Sequence, residues 1–157
     1  MLFRSFFNKS KILIPFRDPI QHSYSLLSQH RKFIQDSKYD KFISNYMKWI
    51  GHTEFGPNYI PLHKNKLKFN NDLDINHWIE QWYLTYGGAF RLIKTMNNLN
   101  FICYEKLCRS RDYWHQIQKI VQIEEIYDFE FKESRKDISL KIDKKLCEKA
   151  TSLYSDL

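Results

Sequence analysis

Short apolar runs alternate along the chain with longer segments of helical periodicity. Residues 12–16 are apolar throughout, which is typical of a strand buried in a parallel sheet, although Pro15 removes one hydrogen-bond donor from it. Residues 101–104 predict a second strand of the same kind. Two strands among five or six predicted helices indicate an α/β fold with a short parallel sheet and helices around it.

Apolar positions spaced by three or four residues predict the first two helices. Asp18 is a suitable N-cap and Pro19 suits the first helical position, so we expect a helix from Pro19 to about Ile34. Residues 41–50 carry apolar side chains at helical spacing, and Gly51 is a natural residue to follow the end of that helix.

The second half of the chain predicts three further helical segments. One begins at Ile75 after the cap Asp74, and we expect Gly87-Gly88 to break or kink it before residues 89–96 resume. Asp112 predicts the cap of another helix, and the last helix starts near Asp143. The charged segment 124–142 lacks a periodic pattern, and residues 52–69 predict a loop.

Composition narrows the class of protein. At 157 residues with 43% hydrophobic and 17% aromatic side chains, residues 1–157 predict one domain with a real core. The formal charge is +7, but lysines interleaved with acids favour small anionic ligands over nucleic acid. Three cysteines without a zinc spacing predict free thiols and a cytoplasmic location. No apolar run approaches the roughly 20 residues that a membrane span needs.

Candidate chemistry is concentrated where the first predicted strand meets the first helix. Arg17 ends the strand, and Ser25 lies seven residues beyond Asp18, almost two helical turns, so Asp18 and Ser25 share a face. A phosphate beside this helix start would accept from the planar fork of Arg17 and from the Ser25 hydroxyl. An ordinary strand-to-helix corner with a solvated arginine is the alternative, and the spacing alone does not decide between them.

Several segments taken together resemble the sulfotransferase family. Residues 14–27 resemble its 3′-phosphate-binding segment, in which an arginine ending a strand and a serine eight residues later hold the phosphate. Residues 101–107 resemble its strand ending in Tyr-Glu-x-Leu, and residues 49–56 are similar to a Trp-Leu-Gly-His-x-Glu-Phe-Gly stretch of bacterial members. The resemblance runs from about residue 10 to the end of the chain.

The resemblance implies a P-loop-NTPase-like sulfotransferase fold and a transferase. Such a protein moves a sulfuryl group from 3′-phosphoadenosine 5′-phosphosulfate, its co-substrate, to a hydroxyl or amine of a small-molecule or glycan acceptor, without a metal. By resemblance, Arg17 and Ser25 hold the 3′-phosphate and Tyr104 contacts the adenine. The catalytic residues stay unknown. His52 and Glu54 are the local acid/base candidates, although the family places its base upstream of the arginine.

One element of the family is missing from these residues. Its phosphosulfate-binding loop carries glycine after an earlier strand, whereas the first glycine here is Gly51, and Arg4-Ser5-Phe6-Phe7 shares only two residues with that loop. We therefore expect a truncated domain that lacks the N-terminal strand and is inactive alone, with an open sheet edge that a second chain would complete. A non-catalytic nucleotide-binding remnant is the alternative function.

A late basic segment supplies one further candidate. Relatives carry an Arg-Lys-Gly loop on the nucleotide near the end of the domain, and Arg135-Lys136 resembles it without the glycines. Glu105 is interpreted as a structural hydrogen-bonding carboxylate rather than a base.

Overall fold

The computed structural model of the chain describes residues 10–157, so the segment Arg4-Ser5-Phe6-Phe7 compared above lies outside it. The described residues form two strands and six helices in the order β1 (Ile12–Phe16), α1 (Pro19–Tyr39), α2 (Lys41–Trp49), α3 (Ile75–Leu92), β2 (Leu99–Cys103), α4 (Tyr104–Arg109), α5 (Arg111–Ile120) and α6 (Lys144–Asp156). The predicted α/β class with a short parallel sheet is confirmed in this coarse form.

Strands β1 and β2 pair in parallel, with Ile12 opposite Leu99 and Phe16 opposite Cys103. This register places the residues that follow the two strands, Arg17 and Tyr104, at the same edge of the sheet. Pro15 gives up a donor within β1, but its carbonyl is satisfied by the Tyr86 hydroxyl at 2.8 Å.

Four of the helices have an aspartate as their N-cap, a position that its short carboxylate side chain suits. The side chains of Asp18, Asp40, Asp74 and Asp143 each accept from a backbone N–H in the first turn of the following helix. The predicted caps Asp18, Asp74 and Asp143 are therefore confirmed. Helix α1 continues past the predicted end at Ile34 to Tyr39.

The predicted break at Gly87-Gly88 is wrong, because α3 runs without interruption to Leu92. A Cβ on Gly87 would lie 3.5 Å from Leu153 Cδ2, so this turn of α3 packs closely on α6. Each helical glycine costs about 1 kcal/mol relative to alanine, and burial of the α3 face against the rest of the domain outweighs that cost.

The region around β2 also differs from its prediction. The strand begins earlier, at Leu99, and Tyr104 opens the short helix α4 instead of ending the strand. Ser110, and not Asp112, caps α5, since its hydroxyl oxygen accepts from Tyr113 N–H at 3.2 Å. Asp112 instead lies in the first turn, where its charge suits the helix N-terminus.

The core lies where α1, α3 and α6 meet. Apolar side chains of α3 and α6 are buried there together with one leucine of α1, and the cluster comprises Leu27, Ile75, Trp78, Ile79, Trp82, Leu146, Ala150 and Leu153. This cluster packs α1, α3 and α6 against one another, and α1 and α6 contribute side chains to the clefts described below.

A buried histidine ties the loop after α2 to helix α1. His30 is fully buried, and its Nδ1 accepts from the Gly56 N–H at 3.1 Å. An Nδ1 that accepts is unprotonated, so this bond requires the neutral imidazole with its proton on Nε2. Burial lowers the pKa of His30 below its ordinary value of 6.5, against the partial opposing effect of Asp72.

Acidification should therefore destabilise the fold. The unfolded chain protonates His30 below about pH 6.5 while the folded chain keeps it neutral, so stability is lost as the pH falls from there towards the lowered pKa, by at most about 1.4 kcal/mol per pH unit. Urea unfolding between pH 7.5 and 5 measures this slope. A His30→Gln variant retains an acceptor for Gly56 without titrating, so an unchanged slope in that variant would contradict the assignment.

Candidate functional site

Two adjoining clefts lie at the carboxyl ends of the two parallel strands, where open α/β sheets bind ligands. The arginine cleft has a volume of about 120 Å³ and is lined by Arg17, Asp18, Gln21, Glu105, Arg109, Glu133, Arg135 and Tyr154. The cysteine cleft has a volume of about 420 Å³ and is lined by Cys103, Glu105, Lys106, Arg109, Ser110, Tyr113, Gln116 and Tyr154. The shared residues Glu105, Arg109 and Tyr154 make the two clefts neighbours.

Arg17 is held from three sides, but its buried Nε–H is left without an acceptor in the described part of the chain. Its Nη2 donates to the Ser134 carbonyl, its Cζ lies 4.8 Å from the centroid of the Tyr104 ring, and its Nε is 3.9 Å from Glu105 Oε1. The last distance is too long for a hydrogen bond. Within the described residues, the buried Nε–H of Arg17 has no hydrogen-bond acceptor, which is uncommon for a buried donor.

Ser25 is not brought into the arginine cleft with Arg17. Its half-buried hydroxyl donates to the Gln21 carbonyl at 2.9 Å, one turn back along α1. To donate to a phosphate, Ser25 would have to release this bond. Gln21 lines the cleft instead, four residues closer to the helix start.

Tyr104 lies beside Arg17 but is already engaged. Its hydroxyl donates to the Lys132 carbonyl and accepts from the Ser134 N–H, both at 3.0 Å. One face of its ring is covered by the guanidinium of Arg17. Any adenine stacking on Tyr104 would therefore need the other face.

His52 and Glu54 lie together, far from the arginine cleft. His52 Nδ1 is 3.4 Å from Glu54 Oε2, and the imidazole stacks on Phe33 with the ring planes 6° apart. Phe33 is fourteen residues along α1 from Pro19, a distance of about 21 Å. The structure thus separates these acid/base candidates from Arg17.

Glu105 collects hydrogen bonds from three elements at the strand ends. Its Oε1 accepts from the Asp18 N–H at 3.0 Å, and its Oε2 accepts from the Tyr154 hydroxyl at 2.9 Å and from the Cys103 thiol at 3.6 Å. Burial raises the pKa of Tyr154, so its hydroxyl stays a neutral donor. The geometry agrees with the interpretation of Glu105 as a structural carboxylate.

A long segment without regular structure, residues 121–143, forms the outer wall of the arginine cleft; we call it the strap. Buried glutamines bind its backbone in both directions. Gln21 donates to the Lys136 carbonyl and accepts from the Lys136 N–H, both at 2.9 Å. Gln118 holds Tyr127 in the same way, at 2.8 and 2.7 Å.

A third buried amide secures the end of the strap. Asn76 on α3 donates to the Lys141 carbonyl at 3.2 Å and accepts from the Asp143 N–H at 2.7 Å. These side chains replace the hydrogen bonds that a strand or helix would provide. The strap is therefore positioned on α1, α3 and α5 without secondary structure of its own.

The arginine cleft has no net formal charge, but its arginines are unequally paired. Three arginines face three acids, and Arg109 is paired with Glu133 through bidentate bonds of 3.0–3.1 Å. Asp18 is occupied as a helix cap and Glu105 as an acceptor. Arg135 forms no ion pair or hydrogen bond with any described residue. The neighbouring His22 adds no charge, because burial and then Arg17 lower its pKa.

The sequence did not identify Gln21, Arg109 or Glu133 as part of the site. The spacing of Gln21 could have indicated its place in the site, since it lies four residues before Ser25 on the same face of α1. No sequence pattern indicates Arg109 or Glu133. They come together only because the strap, which has no periodic sequence pattern, passes Arg109. Arg135, by contrast, does line the cleft.

Other features bear on cofactors and surroundings. Within residues 10–157, no group of three metal-ligating side chains is arranged to hold a metal ion. Over the same part of the chain, no helix has the length and apolar character to cross a membrane. The cysteines Cys103, Cys108 and Cys147 are free thiols. A separate cleft of about 340 Å³ between α3 and α6 lies away from the strand ends.

Comparison of the chain with protein-family models, with curated proteins and with solved structures finds no match. A proposal about function therefore rests on the sequence motifs and on the contacts at the strand ends.

Proposed function

We propose that the arginine cleft binds the 3′-phosphate of 3′-phosphoadenosine 5′-phosphosulfate and that the protein is a sulfotransferase of P-loop-like fold. The observation that carries the proposal is the buried, unsatisfied Nε–H of Arg17 next to the unpaired guanidinium of Arg135. Both lie at the carboxyl end of a parallel sheet. A phosphate satisfies such donors, since arginine forks bind it with charge-assisted hydrogen bonds.

The sizes of the clefts fit a ligand with one anchored charge. About 120 Å³ is well below the 300–1,000 Å³ typical of whole-ligand pockets, so the arginine cleft would hold the phosphate alone. The adjoining cysteine cleft, at about 420 Å³, lies within that range and would take further parts of the nucleotide. Tyr104 would contact the adenine with its uncovered face.

Sulfuryl transfer requires more than this anchor. The acceptor oxygen or nitrogen loses its proton to a base, a bond forms to sulfur, and the bond from sulfur to the phosphate oxygen breaks, leaving 3′-phosphoadenosine 5′-phosphate. His52 and Glu54 lie too far away to be that base unless the chain rearranges. Binding without turnover is therefore the second candidate function, favoured by the structural use of both Glu105 oxygens. Release of 3′-phosphoadenosine 5′-phosphate from the phosphosulfate distinguishes the two.

Calorimetric titration tests the binding proposal. We expect 3′-phosphoadenosine 5′-phosphate to bind more tightly than adenosine 5′-phosphate, and Arg17→Ala to weaken its binding about 10- to 150-fold, as loss of a charge-assisted hydrogen bond of about 1.5–3 kcal/mol implies. Arg31→Ala is the matched control, because Arg31 lies on α1 and bonds only the Leu73 carbonyl.

A variant of Glu133, the ion-pair partner of Arg109, provides a second test of the same site. Glu133→Gln removes a negative charge and weakens the bidentate pair, so it should tighten binding of the 3′-phosphate nucleotide. Equal affinity of the wild-type chain for the two nucleotides, or equal effects of Arg17→Ala and Arg31→Ala, would contradict the proposed site.

A further inference from the structure

Helix α2 exposes an aromatic surface that nothing in the described chain covers. None of its residues is fully buried. Phe42, Tyr46, Trp49 and the following Ile50 are exposed by 63%, 47%, 75% and 55%. At 100° per residue these four side chains fall within one arc of the helix, which we call the aromatic arc.

The side of α2 next to the aromatic arc is the one that meets the protein. Ile43 and Met47 are half-buried there, and α2 packs against α1. The exposure of the aromatic arc is thus not the result of a detached helix. Exposed apolar surface of this kind, concentrated on one face, marks an interaction site.

Two lysines lie about 80–100° round the helix from Trp49, on the side away from Ile50. Lys41 and Lys48 lie seven residues apart on the same row of the helix and are exposed, and Lys38 precedes them on α1. No acidic residue occurs between Lys41 and Thr53. The nearest acid, Asp40, is occupied as the helix cap, where it accepts from the Phe42 N–H at 2.8 Å.

We propose that α2 binds the surface of an anionic phospholipid bilayer and lies parallel to it. Tryptophan and tyrosine favour the headgroup level, because their rings are apolar and their polar atoms stay hydrated. Lysines extend their apolar stems past such a face and meet the negative headgroups. A helix with a strong division between a basic row and an aromatic face, and low overall hydropathy, is typical of such contacts.

Charge selects this partner over a second copy of the chain. In a two-fold contact the same patch meets itself, so the lysine row of one copy would face a surface without acids. At nine residues, α2 is about 14 Å long and is too short to insert across a bilayer. The geometry therefore favours a helix resting on an anionic surface.

Vesicle binding by the full chain tests the proposal. The probes are vesicles of phosphatidylcholine and phosphatidylserine at a ratio of about 7:3, with pure phosphatidylcholine for comparison. We expect co-sedimentation with the mixed vesicles only, weakened by salt, and a blue shift in tryptophan emission. Trp49 would report the contact, since Trp78 and Trp82 are buried in the core and Trp114 is half-buried with its Nε1–H bonded to the Tyr127 carbonyl.

Variants separate charge from apolar insertion. Lys41→Gln with Lys48→Gln should weaken binding about 30-fold, since each lysine near an anionic surface contributes about fivefold. Phe42→Ser with Trp49→Ser should abolish both co-sedimentation and the blue shift. The matched control, Leu92→Ser with Lys94→Gln, changes an exposed apolar residue and a lysine beyond the end of α3 and should bind like the wild type. Circular dichroism verifies that each variant is folded.

Three outcomes would overturn the proposal. The first is no binding to the mixed vesicles at low salt by a folded chain. The second is equal loss in the control variant. The third is a dimer in sedimentation equilibrium that dissociates in Phe42→Ser with Trp49→Ser, which would assign the aromatic arc to self-association. None of these results depends on nucleotide binding in the arginine cleft.

Discussion

Replacing Gly56 with alanine should destabilise the protein by about 2–5 kcal/mol. Gly56 has a φ of +82°, which costs a residue with a Cβ about 1–2 kcal/mol. Its added Cβ would also lie 3.2 Å from the Phe33 Cβ, so α1 or the loop would have to shift, and overpacking of this kind costs about 1–3 kcal/mol. The free energy of unfolding in urea measures the sum.

Gly51→Ala is the control for the backbone cost. Gly51 also has a positive φ, +67°, but an added Cβ would meet nothing within 4 Å. It should therefore show only the left-handed penalty of about 1–2 kcal/mol, and the difference between the two variants isolates the contact with Phe33. Equal destabilisation by both substitutions would mean that this close approach contributes nothing.

Glu105→Ala should cost about 3–5 kcal/mol, the range found when one partner of a buried charged network is removed. The side chain is only 13% exposed. Its loss leaves the Asp18 N–H and the Tyr154 hydroxyl without their acceptor and leaves Arg17 without its nearest negative charge. Chemical denaturation of the purified chain measures the effect.

Tyr154→Phe tests how much of the stability lost in Glu105→Ala comes from the single hydrogen bond between Tyr154 and Glu105. It removes one of the hydrogen bonds to the carboxylate and should cost about 1 kcal/mol, well below the effect of Glu105→Ala. If Glu105→Ala lowered the free energy of unfolding by no more than Tyr154→Phe, Glu105 would not be the structural centre of the strand ends.

Local chemistry made much of the fold predictable. The strand at residues 12–16, three aspartate caps and the start of α3 each follow from nearest neighbours along the chain, and each is present. The strand is less buried than its apolar sequence predicts, since only Phe16 is fully buried. The predicted break at Gly87-Gly88 is absent because packing of α3 against α6 offsets the low helix propensity of the two glycines. The apolar pattern of α2 predicted a helix correctly but could not tell whether its apolar face would be covered.

The candidate site was predictable only where its residues are local. Arg17 at the end of β1 follows from the strand and the cap, and the placement of Tyr104 beside it follows from parallel pairing. The separation of Ser25 from the cleft reflects a competing bond to Gln21 within the helix. The approach of Glu133 and Arg135 depends on long-range amide contacts that no periodic pattern encodes.

The way in which the strap is attached has a consequence for its tolerance of substitution. The strap is held by hydrogen bonds from its backbone to the side-chain amides of Gln21, Gln118 and Asn76. These bonds involve peptide groups, which every amino acid possesses, and not the side chains of the strap. The identity of residues along this wall can therefore drift, and with it the preference for a ligand, while the path of the chain is retained. Proline is the exception wherever a peptide nitrogen is gripped, because it has no hydrogen to offer.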